Sequence, residues 1–285
     1  MRKQVVLLTF LLTGFLTTSG YAQNNPDDVT MKSENLGDSV YMLTGMGGNI
    51  GVSAGEDGLL IIDDQYEPMA EKISAALDSI LKDKLRYVIN THYHGDHTGS
   101  NAYMKEVKDA TIFAHDNVRV RLLNKEEHKH SELPVVTYSQ GVTFHFNGDT
   151  LKVMHLSNAH TDGDSVVMFE KANVLHTGDL FFNGLFPYID IDSGGSVKGY
   201  IAGVEKLISM IDDDTKIIPG HGPLGDKAQL QAFVEMIKQT SSQVKQLKIN
   251  GLPVEDIIDA GLDDKWKEWS WAFINEEKWI RTLYR

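Results

Sequence analysis

Asn90-Thr91-His92-Tyr93-His94-Gly95-Asp96-His97 places four metal-ligand side chains, His92, His94, Asp96 and His97, within six residues. Ahead of it, Arg86 to Asn90 reads as a strand whose end meets this segment. In extended backbone, residues two apart point to the same side, so His92 and His94 can hold one ion from a single strand end. A turn that Gly95 permits would aim Asp96 and His97 elsewhere, toward a second ion. No packing or capping role asks for this set, so metal ligation is the reading that accounts for it.

Two ions need more ligands than one segment offers, which directs attention to loops that follow strands. His160 lies between the strands Leu151 to Leu156 and Ser165 to Phe169. Asp179 follows the strand Val174 to His176, and His221 sits in Pro219-Gly220-His221-Gly222-Pro223, just past another strand. Strand-end loops are where α/β proteins place their sites, and all of these candidates occupy such loops.

Working outward, a β-rich half begins near Val40 with strands at Val40 to Leu43, Asn49 to Ala54 and Leu59 to Ile62. The polar residues 23–34 ahead of it are expected to be a flexible lead-in. Met69, Ile73, Ala76, Leu77 and Ile80 recur at helical spacing over Glu67 to Leu81. A second β-rich stretch runs from Val142 to His176, with Asn147-Gly148 as a hairpin turn. Val197, Ile201, Val204, Ile208 and Ile211 then mark a second amphipathic helix. Strands and helices alternating twice predict two similar halves, each a sheet with a helical cover, joined as a sandwich over residues 35–225. From Asp226 to Arg285 the chain reads as a helical extension packed on this domain. All four tryptophans lie in it, and Trp266, Trp269, Phe273 and Ile280 read as one stripe.

The start of the chain reads as a secretory leader over residues 1–22: Arg2 and Lys3, an apolar run from Val5 to Leu16, then Gly20-Tyr21-Ala22. The protein is accordingly expected to be exported, periplasmic or secreted, with no stable membrane anchor. Loss of the leader would take the net charge from −13 to about −15. Such an acidic chain repels polyanions and argues against nucleic acid as partner; a small-molecule substrate is expected. There is no cysteine, so no disulfide supports the fold, and any transition metal must be held by histidine and carboxylate.

The order His-x-His-x-Asp-His, then His-Thr-x-Gly, Gly-Asp and Gly-His-Gly resembles the metallo-β-lactamase superfamily of binuclear hydrolases, from about Asn35 to Pro223. The resemblance implies a four-layer αββα sandwich. It implies a first metal on His92, His94 and His160, a second on Asp96, His97 and His221, and Asp179 bridging them. Asp63 falls where the family keeps an aspartate that orients the ligands. Two Zn²⁺ lead on this resemblance, although imidazole and carboxylate also suit iron or manganese. Lactamases of the superfamily usually carry Cys or Ser at the place of Asp179. The bridging aspartate is instead similar to glyoxalase-type thioesterases, lactonases, sulfatases and phosphoesterases. No counterpart of the basic glutathione-binding region is recognisable, and Phe181 and Phe182 stand near where homoserine-lactone lactonases place a tyrosine. The run Asp179 to Gly184 resembles exported, uncharacterised or cyclase-like hydrolases.

Zinc lowers the pKa of bound water to about 7. The resemblance therefore implies an exported zinc-dependent hydrolase in which a bridging hydroxide attacks a small ester, thioester, lactone or amide. Asp96 or Asp179 would hold the hydroxide and return a proton to the leaving group. β-Lactam hydrolysis and an iron-dependent oxidoreductase on the same fold are the alternatives. Tyr93, Asn183 and Tyr188 are candidate substrate contacts. Specificity is expected in the loops around Gly45 to Gly48, Lys125 to Leu133 and Phe181 to Ser193. His115, His145, His155 and His176 read as structural, and His128 and His130 sit in a charged loop that solvation alone explains, with rimming the site as the alternative. The oligomeric state is not legible.

Overall fold

The computed structural model describes residues 25–285, so the expected leader lies outside the described residues. β1 (Lys32–Gly37), β2 (Val40–Thr44), β3 (Ile50–Gly55) and β4 (Gly58–Ile62) form an antiparallel meander. α1 (Ala70–Ile80) then crosses to β5 (Leu85–Ile89), parallel to β4. The short helices α2 (Gly95–Thr98) and α3 (Asn101–Glu106) lead to β6 (Thr111–His115), and α4 (Asp116–Leu123) leads toward β7 (Val136–Tyr138). These seven strands lie in chain order in one sheet. The second sheet holds β8 (Gly141–Phe146), β9 (Asp149–His155), β10 (Ser165–Phe169), β11 (Val174–His176) and β12 (Lys216–Ile218), with α5 (Val197–Met210) crossing between the last two. α6 (Lys227–Ile249), α7 (Val254–Ala260) and α8 (Glu276–Tyr284) complete the chain.

Local chemistry accounts for the main boundaries. Asn147 and Gly148 both take positive φ, 54° and 73°, as a two-residue hairpin turn requires, and join β8 to β9. The Ser196 side chain accepts from the Gly199 amide to start α5, and Asp226 and Gln229 cap one another reciprocally at the start of α6.

Three buried clusters define four layers. Leu60, Ile62 and Ile89 meet Val153, Val167, Phe169 and Ile218 between the sheets. On the outer face of the first sheet, Leu59, Ile61 and Val88 pack on Ile73, Leu77 and Met104 of α1 and α3. On the outer face of the second, Val166, Leu175 and Ile217 pack beneath Val204 and Leu207 of α5, Phe233 and Ile237 of α6 and Trp279 and Ile280 of α8. Every residue of β4 is buried because both its faces are covered, which is why it reads as an unbroken apolar run. The result is the expected αββα sandwich, with unequal rather than similar halves of seven and five strands.

Two expectations need correction. Much of the polar lead-in is structured: Lys72 donates to the carbonyls of Pro26, Asp27 and Val29 at 2.7 to 2.8 Å. From Lys32 the chain then forms an edge strand on β2. Backbone pairing holds β1 while most of its side chains face solvent, so no apolar alternation announces it. The aromatic stripe of the tail is not one helix face. Asp264–Trp269 is a 3-10 turn, and the Asn275 side chain caps α8, leaving 270–275 as an irregular segment that carries Trp271 and Phe273.

Candidate metal centre

One end of the sandwich gathers the C-terminal ends of β4, β5, β9, β11 and β12, and the loops leaving them carry the site. Thr91 is pinned by Asp63, whose carboxylate accepts from the Thr91 amide and hydroxyl, both at 2.7 Å. Asp63 adopts φ 65°, a conformation that a residue other than glycine seldom takes and that tends to mark functional sites. Below the loop, the buried Asn90 and Asn101 side chains bond to each other, and Asn90 also donates to the His97 carbonyl. Asp96 and His97 are turned away from His92 and His94 because they lie on the helical turn α2. Gly95 there has no special backbone conformation and open space beside its Cα, so helix initiation and not glycine freedom redirects the chain.

His92 Nε2 and His160 Nε2 converge on His94 Nδ1 at 3.0 and 2.9 Å. With Asp179 they form one group of four donors; Asp96, His97 and His221 form a second of three. Asp179 faces both. Its Oδ2 lies 3.4 Å from His160 Nε2 and 3.7 Å from His92 Nε2. Its Oδ1 lies 3.1 Å from His97 Nε2 and 3.4 Å from His221 Nε2. The structure thus brings all seven expected ligands together.

Three of the remaining ring nitrogens face carbonyl or carboxylate oxygens. His160 Nδ1 faces the Tyr188 carbonyl at 2.8 Å, His97 Nδ1 faces Asp63 at 2.7 Å, and His94 Nε2 faces Asp190 at 3.0 Å. Such partners fix ring orientation and raise ligand basicity. Backbone proximity contributes as well: a Cβ on Gly220 would collide with Asp179 Oδ1, and one on Gly48 with the His97 ring.

Electrostatics mark the place as one for cations. Burial pushes His160 down to about 4 and holds His92 well below its usual range, so both present neutral lone pairs. Burial also works against charge on His221, but Asp179 and Asp96 outweigh it and push that histidine up to about 9. Burial opposes charge on His97 too, yet the same aspartates and Asp63 raise it. Asp179, despite its burial, is held low by His97, His221 and His92. Yet His97 Nε2 and Asp179 Oδ1 are buried without a hydrogen bond. Orphaned donors of this kind, with nitrogen and carboxylate ligands and no thiolate, fit divalent ions.

A cleft of about 560 Å³ opens over the two groups. Tyr93 and Tyr188 line it as expected, but Asn183 does not; its side chain donates to the Pro223 and Leu224 carbonyls and shapes the His221 loop. His128 and His130 are exposed and do not line it either. Sequence reasoning missed Tyr66, Asp190, Trp271 and Phe273, all in the lining. Outside the site, the His115 and His155 rings stack at 3.8 Å, each bonded to a backbone carbonyl, which agrees with a structural role.

Comparison with known proteins gives the same placement. The family model described as the metallo-beta-lactamase superfamily matches residues 43–221. The type 2 metallo-beta-lactamase of Bacillus cereus is 21% identical over 182 residues, 64% of this chain and 69% of that protein. A hydroxyacylglutathione hydrolase of a Polaromonas species is 25% identical over 163 residues, 54% of this chain and 55% of that protein. Among solved structures, a metallo-beta-lactamase from Pontibacter korlensis superposes with a TM-score of 0.63 at 18% identity, covering 73% of this chain and 99% of that one, a likeness of fold.

Proposed function

The chain belongs to the metallo-β-lactamase superfamily, and from that premise we propose that it is a binuclear, zinc-dependent hydrolase of a small ester, thioester, lactone or amide. The observation that carries this reading is Asp179, whose two oxygens address two separate histidine groups. His92, His94 and His160 would hold one ion and Asp96, His97 and His221 the other, with Asp179 between them. When bound, such ions lower the pKa of water and polarise a carbonyl oxygen. The chain's own part is to arrange these groups. Asp63 and Asp190 set the His97 and His94 rings, and Asp96 or Asp179, both in the cleft lining, would take a proton from the attacking water and return it to the departing group. Water adds across the acyl bond, releasing a carboxylic acid and a protonated leaving group.

A cleft of about 560 Å³ suits a small molecule. Among the described residues no helix is long and apolar enough to cross a membrane. Export through the residue 1–22 leader remains part of this proposal, and fractionation of the producing cell tests it. Elemental analysis of protein purified without added metal, followed by ester, thioester, lactone and β-lactam assays with and without chelator, tests the rest. About two zinc per chain and chelator-sensitive turnover are expected. One iron per chain with oxygen consumption would overturn the reading in favour of redox chemistry.

A further inference from the structure

One side of the cleft is a run of aromatic side chains, from the buried Phe182 to the exposed Phe273. Phe182 stacks on His221 at 5.0 Å, and Trp271 lies 6.1 Å from Phe182 and 5.9 Å from His221. Phe273 follows at 5.6 Å from Trp271, and Tyr188 at 5.4 Å from Phe273 and 5.6 Å from His94. Tyr66 and Tyr93 lie among the other lining residues. The Trp271 indole is fixed by donation to the Phe186 carbonyl at 2.9 Å. Phe273, in contrast, is 51% exposed, an apolar ring left at the opening.

Among the described residues, no lysine or arginine lines the cleft, whereas Asp96, Asp179 and Asp190 do. Three cations beside lining residues have partners of their own. Arg121, over the Tyr93 ring, is paired with both oxygens of Asp162. Arg285 is paired with Asp192, and Lys278, over Phe273, donates to the Phe273 carbonyl. A substrate carboxylate reaching away from the ligand cluster would therefore lose its hydration without gaining a partner. A flat uncharged ring meets edges and faces on which it can stack.

We infer that the group flanking the scissile bond is uncharged and aromatic, and that Trp271 and Phe273, from the segment between the last two helical turns, select it. This rests on the hydrolase reading, and it narrows the substrate to a neutral aryl or arylalkyl acyl compound.

The zinc-loaded full chain is assayed in a pH-stat with methyl phenylacetate, methyl acetate and the carboxylated analogue methyl (carboxyphenyl)acetate, whose leaving group carries no ring. Stacking predicts that kcat/KM for the neutral aryl ester exceeds that for each of the others by about tenfold. Trp271→Ala and Phe273→Ala lower the aryl-to-acetyl ratio by about fivefold, and Trp271→Phe recovers most of it. Equal turnover of the carboxylated ester, or an unchanged ratio in both alanine variants, overturns this inference while the hydrolase reading stands. Turnover of no acyl substrate at all is failure of the hydrolase reading. In that event, tryptophan fluorescence of the chelator-treated protein is titrated with methyl naphthoate and with naphthalene dicarboxylate. Saturable quenching by the neutral compound alone supports the aromatic wall, and no quenching, or equal quenching by the dianion, overturns it.

Discussion

Asp190 Oδ2 stands 3.0 Å from Nε2 of His94, the ring nitrogen turned away from the cluster that His94 Nδ1 joins. The same oxygen accepts from the Tyr93 hydroxyl at 2.6 Å. The carboxylate thus sets the ring plane and tautomer of a ligand it does not share. Asp190 also caps the turn Ile191–Ser193 by accepting from the Ser193 amide, a role that an asparagine side chain would keep. Removing such an orienting partner typically costs between about 10 and 100-fold in metal affinity. Asp190→Asn should weaken zinc binding toward the lower figure and Asp190→Ala toward the upper. Competition against a chromophoric chelator measures this, and unfolding in excess chelator separates it from lost stability. Unchanged affinity in both variants would mean that Asp190 serves only its turn.

The Gly220 Cα lies where a methyl group would run into Asp179 Oδ1 and the Gly178 backbone. Gly220→Ala must therefore displace the Asp179 carboxylate or the loop that carries His221. A displacement near 1 Å suffices for about a hundredfold loss of rate. The expected outcome is loss of about one metal equivalent and of most turnover, with circular dichroism unchanged. Full metal content and normal rate would show that the loop yields without moving Asp179.

What the sequence reveals about this site depends on how locally it is encoded. His92 to His97 are legible because four ligands share one short segment. His160, Asp179 and His221 are legible once strand ends are located, and their division between two groups only through family resemblance. Asp190 is not, because its partners His94 and Tyr93 lie 96 and 97 residues away and an aspartate before Ile191 carries no spacing signal. Trp271 and Phe273 fall within what reads as a helical tail, since 266, 269, 273 and 280 fit helical spacing. The signal against that reading is Asn275, an N-cap residue before Glu276-Glu277 that ends any such helix. β1 is illegible for the opposite reason: it is held by backbone pairing, which leaves no trace in side-chain pattern. Where burial on two faces dictates composition, as in β4, sequence and structure agree closely.

Asp164 offers a test through pH. It is buried behind the His160 loop, and burial pushes its carboxyl up to about 7 despite hydrogen bonds from the Thr161 amide and hydroxyl. A carboxyl with its folded pKa raised stabilises the fold fully below the unfolded value of about 3.9, and that contribution is lost as pH rises through the folded value. The native state holds about one proton more than the unfolded chain across this window, a slope on the order of 1.4 kcal/mol per pH unit. Asp164→Asn removes the titration and can still accept from Thr161. Its stability relative to the parent should therefore improve from about pH 5 to about pH 7, then level off. Denaturant unfolding across that range measures the difference. A flat difference would place the carboxyl in its ordinary range.

Trp279 tests whether the C-terminal helices belong to the folding unit. It is fully buried on α8, its ring stacked 5.8 Å from Phe186 and its Nε1 donating to Thr240 Oγ1 at 3.0 Å. Phe186 in turn follows the Asp179 loop and accepts the Trp271 indole on its carbonyl, so the tail and the rim of the cleft share one packed cluster. Trp279→Ala leaves a large cavity and removes the indole bond to the Thr240 hydroxyl, which keeps its donation to the Met236 carbonyl at 2.8 Å, a loss of about 3 to 5 kcal/mol. Trp279→Phe restores most of the volume without the hydrogen bond and should cost less than half as much. If the tail is part of the domain, unfolding stays a single transition and its midpoint falls in both variants, with release of metal coinciding with loss of helix. A separate early transition that leaves metal content intact would instead make residues 226–285 an independent unit resting on the sandwich.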